Sequence, residues 1–159
     1  MLTKRATCPR DDAVAAQGSL PFPSDVATLA APPYNVGAVV NMCQEWPGPA
    51  EAYARHGIAQ LRLPCVDTCA PPVDKLRAGA AFIAAQRAAH PGKRVYVHCK
   101  GGIARASTMS LAHCVVNRGE DPHAAVERLK ARRPIVLRAV AEYPAIVELA
   151  AEQREKTKQ

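Results

Sequence analysis

The sequence predicts an α/β protein with a central, largely parallel sheet flanked by helices. Three observations predict it. Short apolar runs at 37–42, 58–63 and 94–98 have the length and side-chain character of strands. Stretches of helical composition alternate with them, the pattern of parallel strands joined by crossover helices. The chain, 159 residues with 48% hydrophobic and 22% charged content, is enough for one domain with a hydrophobic core.

The elements follow in order. Residues 13–20 read as a first strand, ended by the Pro21-Phe22-Pro23 turn. Ser24 stands where an N-cap would open a short helix over 25–31. The run 37–42 is apolar on both faces, as a buried parallel strand must be. A short helix over 50–56 stops at Gly57, which tolerates the left-handed conformation of a helix end. A strand over 58–63 leads into a turn-like segment, 64–71, that holds Asp67. A helix over 72–89 ends before Pro91-Gly92, and the β-branched and aromatic run 94–98 forms a central strand. A helix over 105–118 runs to Gly119. Asp121 and Pro122 supply the N-cap and first turn of the next, which Pro134 closes. A last helix spans 138–155. Residues 1–12 are expected to be an N-terminal extension, 13–151 the domain and 152–159 a charged tail.

Composition narrows the function. A formal charge of +7 favours anionic partners, but the basic residues are dispersed and aromatics make up only 4%, so no nucleic-acid motif is present. The cysteines at 8, 43, 65, 69, 99 and 114 form no CxxC pair and have no histidine at zinc spacing, so neither a metal nor another cofactor is expected. A domain of this size needs no disulfide framework, and a working thiol requires a reducing compartment, so an intracellular location is expected. Lys4, Arg5 and Arg10 precede no hydrophobic signal core, and the apolar runs have strand length, too short to span a bilayer.

The chemistry is concentrated in His98-Cys99-Lys100-Gly101-Gly102-Ile103-Ala104-Arg105. A strand ends at His98, a glycine-containing loop follows, and a helix starts near Arg105. Successive backbone N–H groups and the positive end of a helix then converge on one small space that suits a phosphate. Gly101 and Gly102 allow the tight curvature. Cys99 sits at the base of this nest, where a helix start and an adjacent guanidinium favour a thiolate over a thiol. Arg105 can grip two phosphate oxygens with its planar fork.

These residues resemble the HCxxGxxR signature of the protein tyrosine and dual-specificity phosphatases. The resemblance implies the dual-specificity phosphatase fold and a phosphocysteine intermediate on Cys99. It makes Arg105 a phosphate ligand and His98 a supporting residue, with Lys100, Gly101, Gly102, Ile103 and Ala104 lining the substrate site. Rhodanese-type domains also carry a looped cysteine, but not His98, Gly102 and Arg105 together. The mechanism needs an acid for the leaving group and then a base for water. Asp67 lies where the family pattern expects that residue; Asp74, the rival, falls in the first turn of a helix, where a carboxylate has a structural reason.

Further segments are similar to the phosphatidylglycerophosphate phosphatase-like (PTPMT) branch. They are Gly18-Ser19-Leu20-Pro21-Phe22, Val39-Val40-Asn41-Met42-Cys43, Gln60-Leu61-Arg62-Leu63-Pro64-Cys65-Val66-Asp67 and Tyr96-Val97-His98-Cys99-Lys100. The implied substrate is a phospholipid headgroup or a phosphoprotein, and the positive charge leaves room for peripheral contact with an anionic membrane. Cys43 resembles the cysteine that pairs with the catalytic thiol in the phosphatase and tensin homologue, which makes it a redox candidate; a buried structural cysteine is the alternative. Arg133-Pro134 and Arg138 resemble a downstream family element. Two departures stand out. Ala106 occupies the position where the family carries Ser or Thr, which implies slow phosphocysteine hydrolysis unless Ser107 substitutes through a shifted helix start. Ala139, Ala141 and Glu142 stand where a water-positioning amide is common. A phosphate-binding pseudophosphatase with little turnover is therefore the alternative function.

Overall fold

The computed structural model describes residues 16–158. Its sheet is four-stranded and wholly parallel. In chain order the strands are β1 (Ala16–Gly18), β2 (Val36–Cys43), β3 (Ala59–Cys65) and β4 (Arg94–His98), arranged β1-β4-β2-β3. The helices are α1 (Val26–Ala30), α2 (Ala50–Arg55), α3 (Val73–Ala89), α4 (Arg105–Arg118), α5 (Pro122–Arg132) and α6 (Pro144–Thr157).

Parallel strands need crossovers, and the helices that supply them cover both faces of the sheet. Ala38, Val40 and Met42 of β2 and Val95 and Val97 of β4 pack with Leu76, Ile83, Met109, Leu111, Ile146 and Leu149 of α3, α4 and α6. On the other face, Val36, Val39 and Tyr96 meet Val26, Leu29 and Tyr53 of α1 and α2. This explains why β2 reads as apolar throughout: its alternate residues enter two different cores. Each fully buried aliphatic side chain contributes roughly 1.5–3 kcal/mol over its exposed state, so the two cores hold the sheet rigid.

Several sequence expectations need correction at element ends. Pro64 lies inside β3, not after it, because β3 is an edge strand where a missing N–H breaks no ladder. Ser24 does not cap α1. Pro23–Asp25 form a 3-10 turn whose N-cap is Phe22, and the Asp25 carboxylate accepts from the Phe22 amide at 2.9 Å. The last helix is divided at Tyr143, since Pro144 can begin a helix but cannot sit within one; Arg138–Glu142 form a separate 3-10 turn. Beyond residue 151 the chain continues α6 through Thr157, and Glu152, with Glu148, pairs with Arg77 of α3. Of the expected first strand, Ala16–Gly18 is formed and 13–15 lie outside the described residues, as do 1–12. Gly57 does take the left-handed conformation after α2 (φ +63°), and Asp121 caps α5 through His123 and Ala124 amides, both at 3.0 Å.

The carboxyl ends of parallel strands all point the same way, so the loops leaving β2, β3 and β4 meet at one end of the sheet. The candidate site is there.

Candidate active site

The loop between β4 and α4 turns back on itself so that the Gly102 amide donates to Cys99 Sγ at 3.2 Å. Cys99 is buried, and the first backbone bond of α4 runs from Thr108 to Ala104. The amides preceding Thr108 therefore have no partner within the helix and remain available to an anion. The sulfur lies in the loop as the motif requires.

The outer wall of the loop fixes its inner one. Gly102 has φ +67°, and a Cβ added there would sit 2.4 Å from the Gly18 carbonyl oxygen. Its own carbonyl accepts from Gln17 Nε2 at 3.1 Å and Arg133 Nε at 3.2 Å, while Arg133 Nη2 donates to the Gly101 carbonyl at 3.0 Å. These bonds tie the loop carbonyls to Gln17 and Arg133, which holds the Gly102 amide on the sulfur in place. Gly102→Ala is expected to lower stability by about 2–3 kcal/mol, from backbone strain and the clash with β1. Urea unfolding reads this as a lower midpoint at unchanged slope; a loss below about 0.5 kcal/mol would contradict it.

Arg105 is fully buried and its guanidinium is bound on several sides. Nη1 and Nη2 form a fork on Glu45, at 3.0 and 2.8 Å; Nη2 also meets Asp67 Oδ1 at 2.7 Å, and Nη1 the Cys65 carbonyl at 2.9 Å. Arg105 Nε has no partner among the described residues. The guanidinium fork holds the Glu45 carboxyl down at about 2, against the opposing effect of burial. Reciprocally, Glu45 pushes the Arg105 pKa further up, so its charge is permanent. Asp67, on the loop after β3, is thus brought to Arg105, and it remains more than half exposed. Asp74 lies in the first turn of α3 and makes no bond to Arg105 among the described residues.

Glu45 is a site residue that sequence reasoning missed. It has no motif; its signal is its place in the loop after β2, beside the segment Asn41-Met42-Cys43. Asn41 shapes that loop, accepting from the Cys43 amide and donating to the Trp46 carbonyl, both at 2.8 Å. Gln17 was missed for the same reason, as a buried amide on a short strand.

The remaining site residues fall as follows. His98 is buried, stacked on Tyr96 at 5.8 Å, and burial lowers its pKa to about 4, so the ring is neutral. Lys100, Gly101 and Ile103 are exposed at the loop surface, and Ala104 is half-buried. Cys43 lies fully buried at the end of β2. Burial, reinforced by Glu45, pushes its thiol up to about 12. A protonated thiol is the slower partner in disulfide exchange. Ala106 is buried in the core. Ser107 does not take its place: α4 starts at Arg105, and the Ser107 hydroxyl donates to the Ile103 carbonyl at 2.6 Å and accepts from Gln17 at 2.7 Å. Among the described residues no group of His, Cys, Asp or Glu side chains could hold a metal.

A thiol held by a loop amide, a buried arginine and a carboxylate on a facing loop define a cysteine-dependent phosphatase site. The chain belongs to the dual specificity phosphatase catalytic domain family, which matches residues 27–148. It is 34% identical over 134 residues to phosphatidylglycerophosphate phosphatase PTPMT1 of Arabidopsis thaliana, covering 82% of this chain and 39% of that protein. It is 36% identical over 97 residues to phosphatidylglycerophosphatase and protein-tyrosine phosphatase 1 of Homo sapiens, covering 60% and 44%. The chain thus spans about two fifths of the length of these relatives. A crystal structure of PTPMT1 in complex with PI(5)P superposes with a TM-score of 0.81 at 26% identity, covering 94% of this chain and 97% of that one. The likeness supports the fold class and the branch read from the sequence.

Proposed function

We propose that the chain hydrolyses phosphomonoesters through a phosphocysteine on Cys99, and that its substrate is a phospholipid headgroup of the phosphatidylglycerophosphate type. The observation that carries the reaction is the Gly102 amide on the Cys99 sulfur, 3.2 Å away, beside a buried Arg105. What supports the headgroup is the similarity to proteins named as phosphatidylglycerophosphate phosphatases.

The substrate phosphate takes the place of the carboxylates on Arg105. The Cys99 thiolate attacks phosphorus as the ester P–O bond breaks, and Asp67 gives its proton to the departing oxygen. Water then attacks the phosphocysteine, Asp67 takes its proton, and the S–P bond breaks to release inorganic phosphate. Loop amides and Arg105 hold the equatorial oxygens throughout, where charge accumulates. For Asp67 to serve as the acid it must leave Arg105, and its exposure gives it the room.

The test compares phosphate release from phosphatidylglycerophosphate, phosphoinositides and a phosphotyrosine peptide. The expected result is fastest turnover of phosphatidylglycerophosphate; a phosphotyrosine peptide turned over faster would overturn the headgroup assignment. Asp67→Ala is expected to slow alkyl phosphates by roughly 10²–10⁴-fold, the range for a general acid. An aryl phosphate with a good leaving group should lose far less, and equal losses on both would remove Asp67 from the acid role. A second reading, phosphate capture with little turnover, is favoured by Ala106, since the nearby Ser107 hydroxyl is already engaged.

A further inference from the structure

The large apolar side chains left exposed are not scattered. Phe22, Val66, Ile103, Ile135, Leu137 and Val147 are the exposed large hydrophobics among the described residues, and all but Val147 lie in, close along the chain to, or packed next to segments that bond the phosphate site. Ile103 is in the phosphate loop itself. Val66 stands between Cys65 and Asp67, both of which contact Arg105. Phe22 packs edge-on against Trp46 at 6.2 Å, and Trp46 follows Glu45, which holds the guanidinium. Ile135 and Leu137 follow Arg133, which is bonded to the Gly101 and Gly102 carbonyls. The five are between 40% and 55% exposed and come from four segments of the chain, Ile135 and Leu137 sharing one.

A buried anion site set among exposed apolar side chains is an unfavourable surface in water. It fits the boundary of a bilayer, where apolar side chains enter the acyl region while the receptor meets headgroup phosphate. Charge agrees. The chain carries a formal +7, Lys100 is exposed within the rim, and the nearby carboxylates of Glu45 and Asp67 are turned onto Arg105. No described helix is long and apolar enough to cross a membrane, so contact through this rim is of the peripheral kind.

We propose that this apolar rim is a docking surface for anionic phospholipid bilayers, which seats the phosphate site directly on the headgroup layer. The inference deepens the lipid reading given above and rests on it. It goes beyond substrate identity in assigning binding to Phe22, Val66, Ile103, Ile135 and Leu137, outside the reaction itself.

The experiment sediments the full chain with vesicles of phosphatidylcholine alone and of phosphatidylcholine with phosphatidylglycerol. Wild type should pellet with the anionic vesicles. The pair Ile135→Asp and Leu137→Asp should reduce that binding at least tenfold, as should the milder pair Ile135→Ser and Leu137→Ser. Val147→Asp is the control: its residue is equally exposed, at 49%, on α6, and the variant should bind as wild type. Hydrolysis of a soluble aryl phosphate, measured in parallel, should be the same in all of them, which shows that each is folded. The proposal is overturned if wild type stays in the supernatant with both vesicles, if both rim pairs bind as wild type, or if Val147→Asp loses as much as they do. Absent aryl phosphate hydrolysis in wild type would instead count against the reaction, leaving the vesicle result to be judged on its own.

Discussion

Cys99→Ser is expected to abolish phosphate release, lowering turnover of an aryl phosphate by roughly 10⁴-fold or more, the scale on which enzymes fail when their nucleophile is removed. The reasoning is local. The serine keeps the size of the side chain and can still accept from the Gly102 amide, so the loop keeps its shape. A hydroxyl, however, is intrinsically a far weaker acid than a thiol and a far poorer nucleophile without a base beside it. Among the described residues no histidine ring is hydrogen-bonded to the Cys99 side chain, whose partner is the Gly102 amide, so none is placed to remove that proton. The variant should therefore still bind inorganic phosphate while failing to turn over. Stopped-flow release of an aryl alcohol checks the chemistry. Wild type should also show a burst before the steady state, since Ala106 supplies no hydroxyl to the departing sulfur and phosphocysteine hydrolysis becomes the slow step. Residual turnover of Cys99→Ser within a hundredfold of wild type would remove Cys99 from the nucleophile's role.

How much of this was legible in the sequence follows from the range of the interactions. The loop between β4 and α4 could be read because its chemistry is contiguous: strand, sulfur, glycines and arginine occupy neighbouring positions. The three longer strands and the alternation with helices were legible from side-chain patterning, since β2 must be apolar on both faces to divide two cores. What escaped was set by tertiary contact. Glu45 becomes a site residue only because the loop after β2 folds over a guanidinium far along the chain. Gln17 matters only because β1 lies alongside the loop it supports. The ends of elements were misplaced where proline has two meanings: Pro64 is tolerated in an edge strand, and Pro144 starts a helix that the apolar pattern would have run through. Neither distinction can be made before the neighbours are known.

Arg105→Lys should be nearly as damaging as loss of the sulfur, although it conserves charge. Arginine presents two parallel donors, and here both are occupied by the fork on Glu45, with Asp67 and the Cys65 carbonyl bonded beside it. In the proposed reaction those bonds mark the places that two phosphate oxygens take when substrate enters. An ammonium is a point charge and cannot span them. The dianion would be held through one oxygen, and the charge spread over the equatorial oxygens in the transition state would lose its planar match. The expected fall in kcat/KM is roughly 10³-fold or more, at the lower end of what a transition-state arginine supplies in phosphoryl transfer. Because the guanidinium meets phosphate in the ground state too, KM should rise as kcat falls, and inorganic phosphate should weaken as a competitive inhibitor. The shape of the loss separates two roles for the residue. If Arg105 served only as a buried tie between the loops after β2 and β3, its lysine variant would lower the urea midpoint and leave phosphate inhibition of the folded fraction unchanged. A variant within tenfold of wild type in kcat/KM would show that the fork on Glu45 is architecture rather than a receptor held ready for substrate.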